Sequence, residues 1–102
     1  MTRHGTGSHD DVVRTEVAVE VVNRARALVY ARIYMLEEGS EAERQEAERL
    51  DAKARELHDL LESLNYREQG RVEAVIGRWG PLVRDEAQFW AALQDSRPLL
   101  AA

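Results

Sequence analysis

Residues 12–36 set the limits on how this chain can fold. They carry thirteen of its 31 large apolar side chains in a quarter of its length, and no single helical or sheet face collects them all. Apolar surface left in water costs about 25 cal/mol per Å². Such a segment therefore has to be enclosed by the rest of the chain, by a second copy or by a partner.

The two halves of this stretch read differently. Val13, Thr15, Val17, Val19 and Val21 alternate with Arg14, Glu16, Ala18 and Glu20, the period-two pattern of a half-buried strand. A lone strand needs a pairing edge, which here would have to come from its twin in a dimer; only residues 72–76 offer another candidate. Helix is the favoured reading, because the second half is helical and no turn signal separates it from the first. From Asn23 to Glu38 the helix is plain: Val22, Ala25, Val29, Ile33 and Leu36 form one stripe, Leu28, Ala31 and Met35 a second, and Ala27, Tyr30 and Tyr34 a third. Only Arg32 interrupts the apolar residues between 27 and 36. A helix apolar on every side belongs at the centre of a bundle or at a subunit interface. The interface residues expected are Leu28, Tyr30, Ala31, Arg32, Tyr34 and Met35, with Arg32 either reaching the rim or pairing with an acid of another helix or subunit.

Beyond Glu38 the chain is divided by clear stop and start residues. Gly39 reads as a left-handed helix stop, and Ser40 with Glu43 as a capping box opening a second long helix over residues 41–64. Its seam, Ala47, Leu50, Ala54, Leu57, Leu61 and Leu64, with Leu60 widening one end, is of coiled-coil type. Arg44 and Glu48, Asp51 and Arg55, and Arg55 and Asp59 are spaced for surface ion pairs. Asn65 and Glu68 suggest a second capping box and a short helix to about Ile76, with Val72, Val75, Ile76 and Trp79 on one side. An elbow at residues 78–81 would come next, and Pro81 would begin a last helix bearing Leu82, Val83, Ala87, Phe89, Trp90 and Leu93. The fold class is all-α: an antiparallel hairpin of two long helices plus two shorter C-terminal ones. The alternative is a strand over 12–22 paired across a dimer. Residues 1–9 read as a disordered leader, 10–97 as one helical-bundle domain and 98–102 as a short apolar tail. The tail, Leu99 to Ala102, resembles the small apolar ends that bacterial unfolding proteases grip.

Charge is uneven. Residues 37–63 hold ten acids against four bases, whereas residues 9–36 balance at four and four and residues 64–102 at five and five. An acidic second helix suits a basic protein partner, including a nucleic-acid-binding protein whose site it would block. Direct nucleic-acid binding is disfavoured, since phosphate contacts need clustered cations. Thirteen of the fourteen bases are Arg, and Lys53 is the single Lys, which reads as codon usage of a GC-rich genome. No cysteine occurs, so disulfides, thiolate metal sites and cysteine nucleophiles are excluded. The longest uncharged apolar run, residues 27–31, falls far short of the ~20 residues a spanning helix needs, and no signal-peptide pattern opens the chain. A soluble, cytoplasmic protein is expected.

Chemistry finds little support. His4, His9, Asp10 and Asp11 carry metal-ligand atoms, yet no spacing fixes their geometry. His58 is the only His within the predicted helices and Arg55 precedes it by three, so the Glu-x-x-His motif of di-metal bundles is missing. His58 stands one turn before Glu62, where a surface hydrogen bond is the simpler reading than a catalytic pair. No phosphate loop or nucleophile elbow is present. No catalytic residue, cofactor or metal is assigned. The expected function is a non-enzymatic protein–protein interaction or regulatory module, homodimeric through its central helix. Trp79 and Trp90, with Arg78 beside the elbow, are either core plugs or a partner site.

Two alternatives remain. The alternation over 13–21, a helix over 23–38, Gly39-Ser40 and a further helix together resemble the ribbon-helix-helix DNA-binding dimers over less than half the chain. The resemblance implies paired strands in the major groove. Against it, the strand would turn Glu16 and Glu20 toward phosphate. The other alternative is a small enzyme with a pocket formed from Tyr30, Arg32, Tyr34 and His58, which has no motif behind it.

Overall fold

The structure is a computed structural model, which describes residues 9–94 and 97–99. Residues 1–8 of the expected 1–9 leader, with His4, and most of the apolar tail lie outside the described residues, whereas His9 is the first residue of the first helix. Four helices come in order: α1 (His9–Leu36), α2 (Glu41–Glu62), α3 (Gln69–Leu82) and α4 (Glu86–Leu93). Among the described residues there is no strand, so the all-α expectation holds and the strand reading of residues 12–22 is overturned.

The 28 residues of α1 are continuous helix, about 42 Å long at ~1.5 Å per residue. Its buried line is Ala18, Val22, Ala25 and Val29, at intervals of four, three and four, with Ile33 and Leu36 half-buried farther along. The alternating valines are thereby scattered round the helix. Val22 is buried, Val19 and Val21 are half-buried, and Val13 and Val17 are exposed. Ala18 and Ala25 on the core line let neighbouring helices approach closely.

The hairpin turn forms as its sequence implies, with one correction. Ser40 Oγ accepts from the Glu43 amide at 3.2 Å, and the Glu43 carboxylate accepts from the Ser40 amide at 2.8 Å, closing the capping box. Gly39 is not left-handed; what it supplies is room, because a Cβ there would collide with the Glu43 carboxylate. α2 then runs back along α1 and buries Ala47, Leu50, Ala54, Leu57 and Leu60, while Leu61 and Leu64 are only half-buried.

The third layer begins later than the capping residues suggest. Asn65 Oδ1 accepts from the Arg67 amide at 2.8 Å and its carbonyl from the Glu68 amide at 2.9 Å, so Asn65 builds a turn instead of a cap. α3 starts at Gln69, whose side-chain amide donates to the Tyr66 and Asp11 carbonyls and to Thr15 Oγ1. Those bonds, and the two from Arg14 to the Glu73 carboxylate (2.7 and 2.8 Å), set α3 parallel to α1. α3 does not break at residues 78–81. Gly77 and Gly80 are accommodated, and Pro81 lies in the last helical turn rather than opening α4. The elbow is Val83-Arg84-Asp85, where Asp85 caps α4 by accepting from the Gln88 amide.

One core joins the layers: Val72, Val75, Trp79 and Val83 from the α3 side, Phe89 and Leu93 from α4, and the buried lines of α1 and α2. Trp79, Phe89 and Trp90 meet edge to face, with centroids 6.0 and 5.0 Å apart. Beyond α4 the chain returns along α2. The Arg49 guanidinium donates to the Leu93 carbonyl at 2.8 Å, Lys53 Nζ donates to the Arg97 carbonyl at 3.2 Å, and Leu99 joins the core. The bundle is elongated, 60 × 21 × 21 Å.

Candidate interaction surface

α1 has a clothed side and a bare one. α2 and α3 both pack against it, yet Tyr34 (79%), Met35 (77%), Tyr30 (46%), Val13 (39%) and Val17 (38%) remain exposed. Ala27 and Ala31 are exposed among them, and so are Glu20 and Arg24. Their positions come from helical geometry. A heptad line turned toward the core leaves residues 13, 17, 20, 24, 27, 31 and 34 on the opposite side. The described chain offers nothing to cover that side.

The expected interface residues divide accordingly. Tyr30, Ala31, Tyr34 and Met35 lie on the bare side, and Leu28 is half-buried at its edge. Arg32 points elsewhere. Its guanidinium stacks over the Trp90 ring, 4.0 Å from the centroid, a cation–π contact that fastens α4 to α1. It also reaches α2 electrostatically: Glu46 is held below the ordinary carboxylate range first by its hydrogen bond from Arg49, with the charge of Arg32 a lesser contributor. Arg32, itself exposed, thus stacks on an aromatic ring of its own chain while its charge also acts on an acid of another helix. Trp79 is 1% exposed and belongs to the core, which removes it from the partner site. Arg78 lies over its ring at 5.5 Å, and Trp90 is half-buried beneath Arg32.

Along one edge of the bare side runs an open groove of about 630 Å³ between α1 and α3. Val17, Val21, Ile76, Gly80 and Val83 form its apolar part, with Glu20, Arg24 and Arg84 around it. A Cβ at Gly80 would meet nothing within 4 Å. Sequence reasoning takes Gly80 for a chain break and passes over Val13 and Val17, because the strand-like alternation hides which valines face outward.

The acids of α2 point mainly to solvent: Glu41, Glu43, Glu48, Asp59 and Glu62 are exposed. Asp51 pairs with Arg55 as its spacing implies, whereas Arg44 turns to Glu41 and the Gly39 carbonyl in place of Glu48. His58 is exposed and makes no hydrogen bond to Glu62. The enzyme alternative needs Tyr30, Arg32, Tyr34 and His58 together. Tyr34 lies five residues before the hairpin turn at Gly39 and His58 nineteen after it, a separation of ~20 Å along the axis at ~1.5 Å per residue. Among the described residues no three His, Asp or Glu side chains converge as metal ligands, and no helix is long and apolar enough to cross a membrane. No protein-family model matches the chain, and comparison with curated proteins and with solved structures finds no significant similarity.

Proposed function

We propose that this chain is a non-enzymatic interaction module whose docking surface is the outward side of α1. The observation that supports it is the row of large apolar side chains left bare on a helix whose other side is the core of the fold. Tyr and Met are the residue types that binding surfaces favour, as rigid amphipathic anchors and as adaptable filler. The acidic outer side of α2 would give the module a second, electrostatic feature, suited to a basic partner.

The test is solution mass at micromolar concentration beside a pull-down from the native host. Assembly above the 11.6 kDa of one chain, or a specific partner, is expected to disappear in a Tyr34→Glu, Met35→Glu variant whose helicity is unchanged. A monomer that captures nothing and shows slow amide exchange throughout α1 would overturn the proposal.

A further inference from the structure

The bare side of α1 carries a pattern that pairs with itself only in one direction. At ~100° per residue, Val13 and Ala31, eighteen residues apart, fall on one line along the helix. Glu20 and Arg24 straddle that line by about 20° on either side, and Val17 and Ala27 by about 40°. All six are exposed. The arrangement is symmetric about residue 22.

We infer that this side pairs with the same side of a second copy, antiparallel, about a two-fold axis passing residue 22; this rests on the outward side of α1 being the docking surface. In this register Glu20 meets the partner's Arg24 and Arg24 meets the partner's Glu20. Val13 faces the partner's Ala31 on the central line, a large side chain over a small one, and Val17 comes level with the partner's Ala27 on the opposite flank. Asp10 comes level with the partner's Tyr34. The contact is isologous, as a two-fold dimer requires.

Charge rejects the neighbouring arrangements. Sliding one turn in one direction sets Arg24 against Arg24, and one turn in the other sets Glu20 against Glu20. A parallel pair would stack both like charges at once. Neither Glu20 nor Arg24 forms an ion pair within the described chain, although they stand four residues apart on one helix. Both are thus available to a partner. So close to the central line, these charges act on register more than on affinity, as a polar residue at a seam position of a coiled coil does.

The test is sedimentation equilibrium of the full chain and four variants at low ionic strength, with helicity followed by circular dichroism. E20R and R24E should each weaken self-association by about tenfold or more, since each turns two attractive pairs into repulsive ones. The double variant E20R/R24E should regain it, and an equimolar mixture of E20R and R24E should form a heterodimer tighter than either alone. Ala31→Arg, on the central line, should give a monomer in any register. If E20R and R24E associate like the parent while Ala31→Arg does not, the antiparallel register is overturned and the docking surface stands. If Ala31→Arg also associates like the parent, the surface itself is wrong. A parent chain that stays monomeric at 100 µM overturns self-pairing and leaves the surface to a different protein.

Discussion

Lys53 is the one lysine of the chain, and it is buried, 6% exposed, beneath the C-terminal segment. A flexible stem with a compact ammonium can pass under the returning chain and still reach the Arg97 carbonyl, with Glu56 3.5 Å away. Lys53→Met keeps the stem and removes the donor. It should cost about 1 kcal/mol, the usual loss for one such hydrogen bond, and speed amide exchange around residues 97–99. Urea denaturation and exchange mass spectrometry read the two effects. Glu73 and Glu46 add a pH dependence. Hydrogen bonds from Arg14 and Arg49 respectively are the leading cause holding each below the ordinary glutamate range. A depressed folded-state value means that the stabilisation is present above the ordinary range and is lost as pH falls through the folded value. Glu73→Gln combined with Glu46→Gln should flatten the fall in the urea midpoint between about pH 6 and about pH 3; an unchanged slope would assign acid sensitivity to other carboxylates.

Among the elements, those announced by local chemistry are where the sequence places them, and those set by tertiary contacts are not. The Ser40–Glu43 box is a local signal and forms as read. Ser40→Ala should lower stability by about 1 kcal/mol, read from the urea midpoint with an unchanged m-value, since one helix start loses its cap and no core contact changes. Asn65 carries the same kind of signal but spends it on a turn, because Gln69 anchors the true start of α3 to the first turns of α1 through a contact 54 residues away in sequence. Gly77, Gly80 and Pro81 look like an elbow in sequence, yet α3 continues through them with Val75, Trp79 and Val83 held in the core. The strand-like valines of α1 are ambiguous for the same reason: alternation is visible locally, whereas the partners that choose between periods are on α2 and α3. Of the surface residues, Tyr30, Ala31, Tyr34 and Met35 are legible as surplus apolar residues. Arg32 is not, because its partner Trp90 lies 58 positions on and is reached only after α4 has folded back.

At the scale of the molecule, α1 is the helix against which both others of the bundle pack, and α4 is fastened to it through Arg32 and Trp90. Amides at the centre of α1, between Ala18 and Val29, should therefore exchange most slowly and set the global opening free energy, while those of residues 97–99 exchange faster. Exchange measured residue by residue checks that order, and a slowest amide in α4 would contradict it. The clamp on that last segment also has a mechanical side. Arg49 and Lys53 are one helical turn apart on α2 and grip carbonyls at Leu93 and Arg97, with Leu99 seated beyond them. A load that lifts the segment away from α2 meets these holds one at a time and needs little force. A load drawn along α2 strains both hydrogen bonds together and has to unseat Leu99 as well. Resistance to an unfolding machine that pulls on this segment would thus depend on the direction of the pull more than on the thermal stability of the bundle.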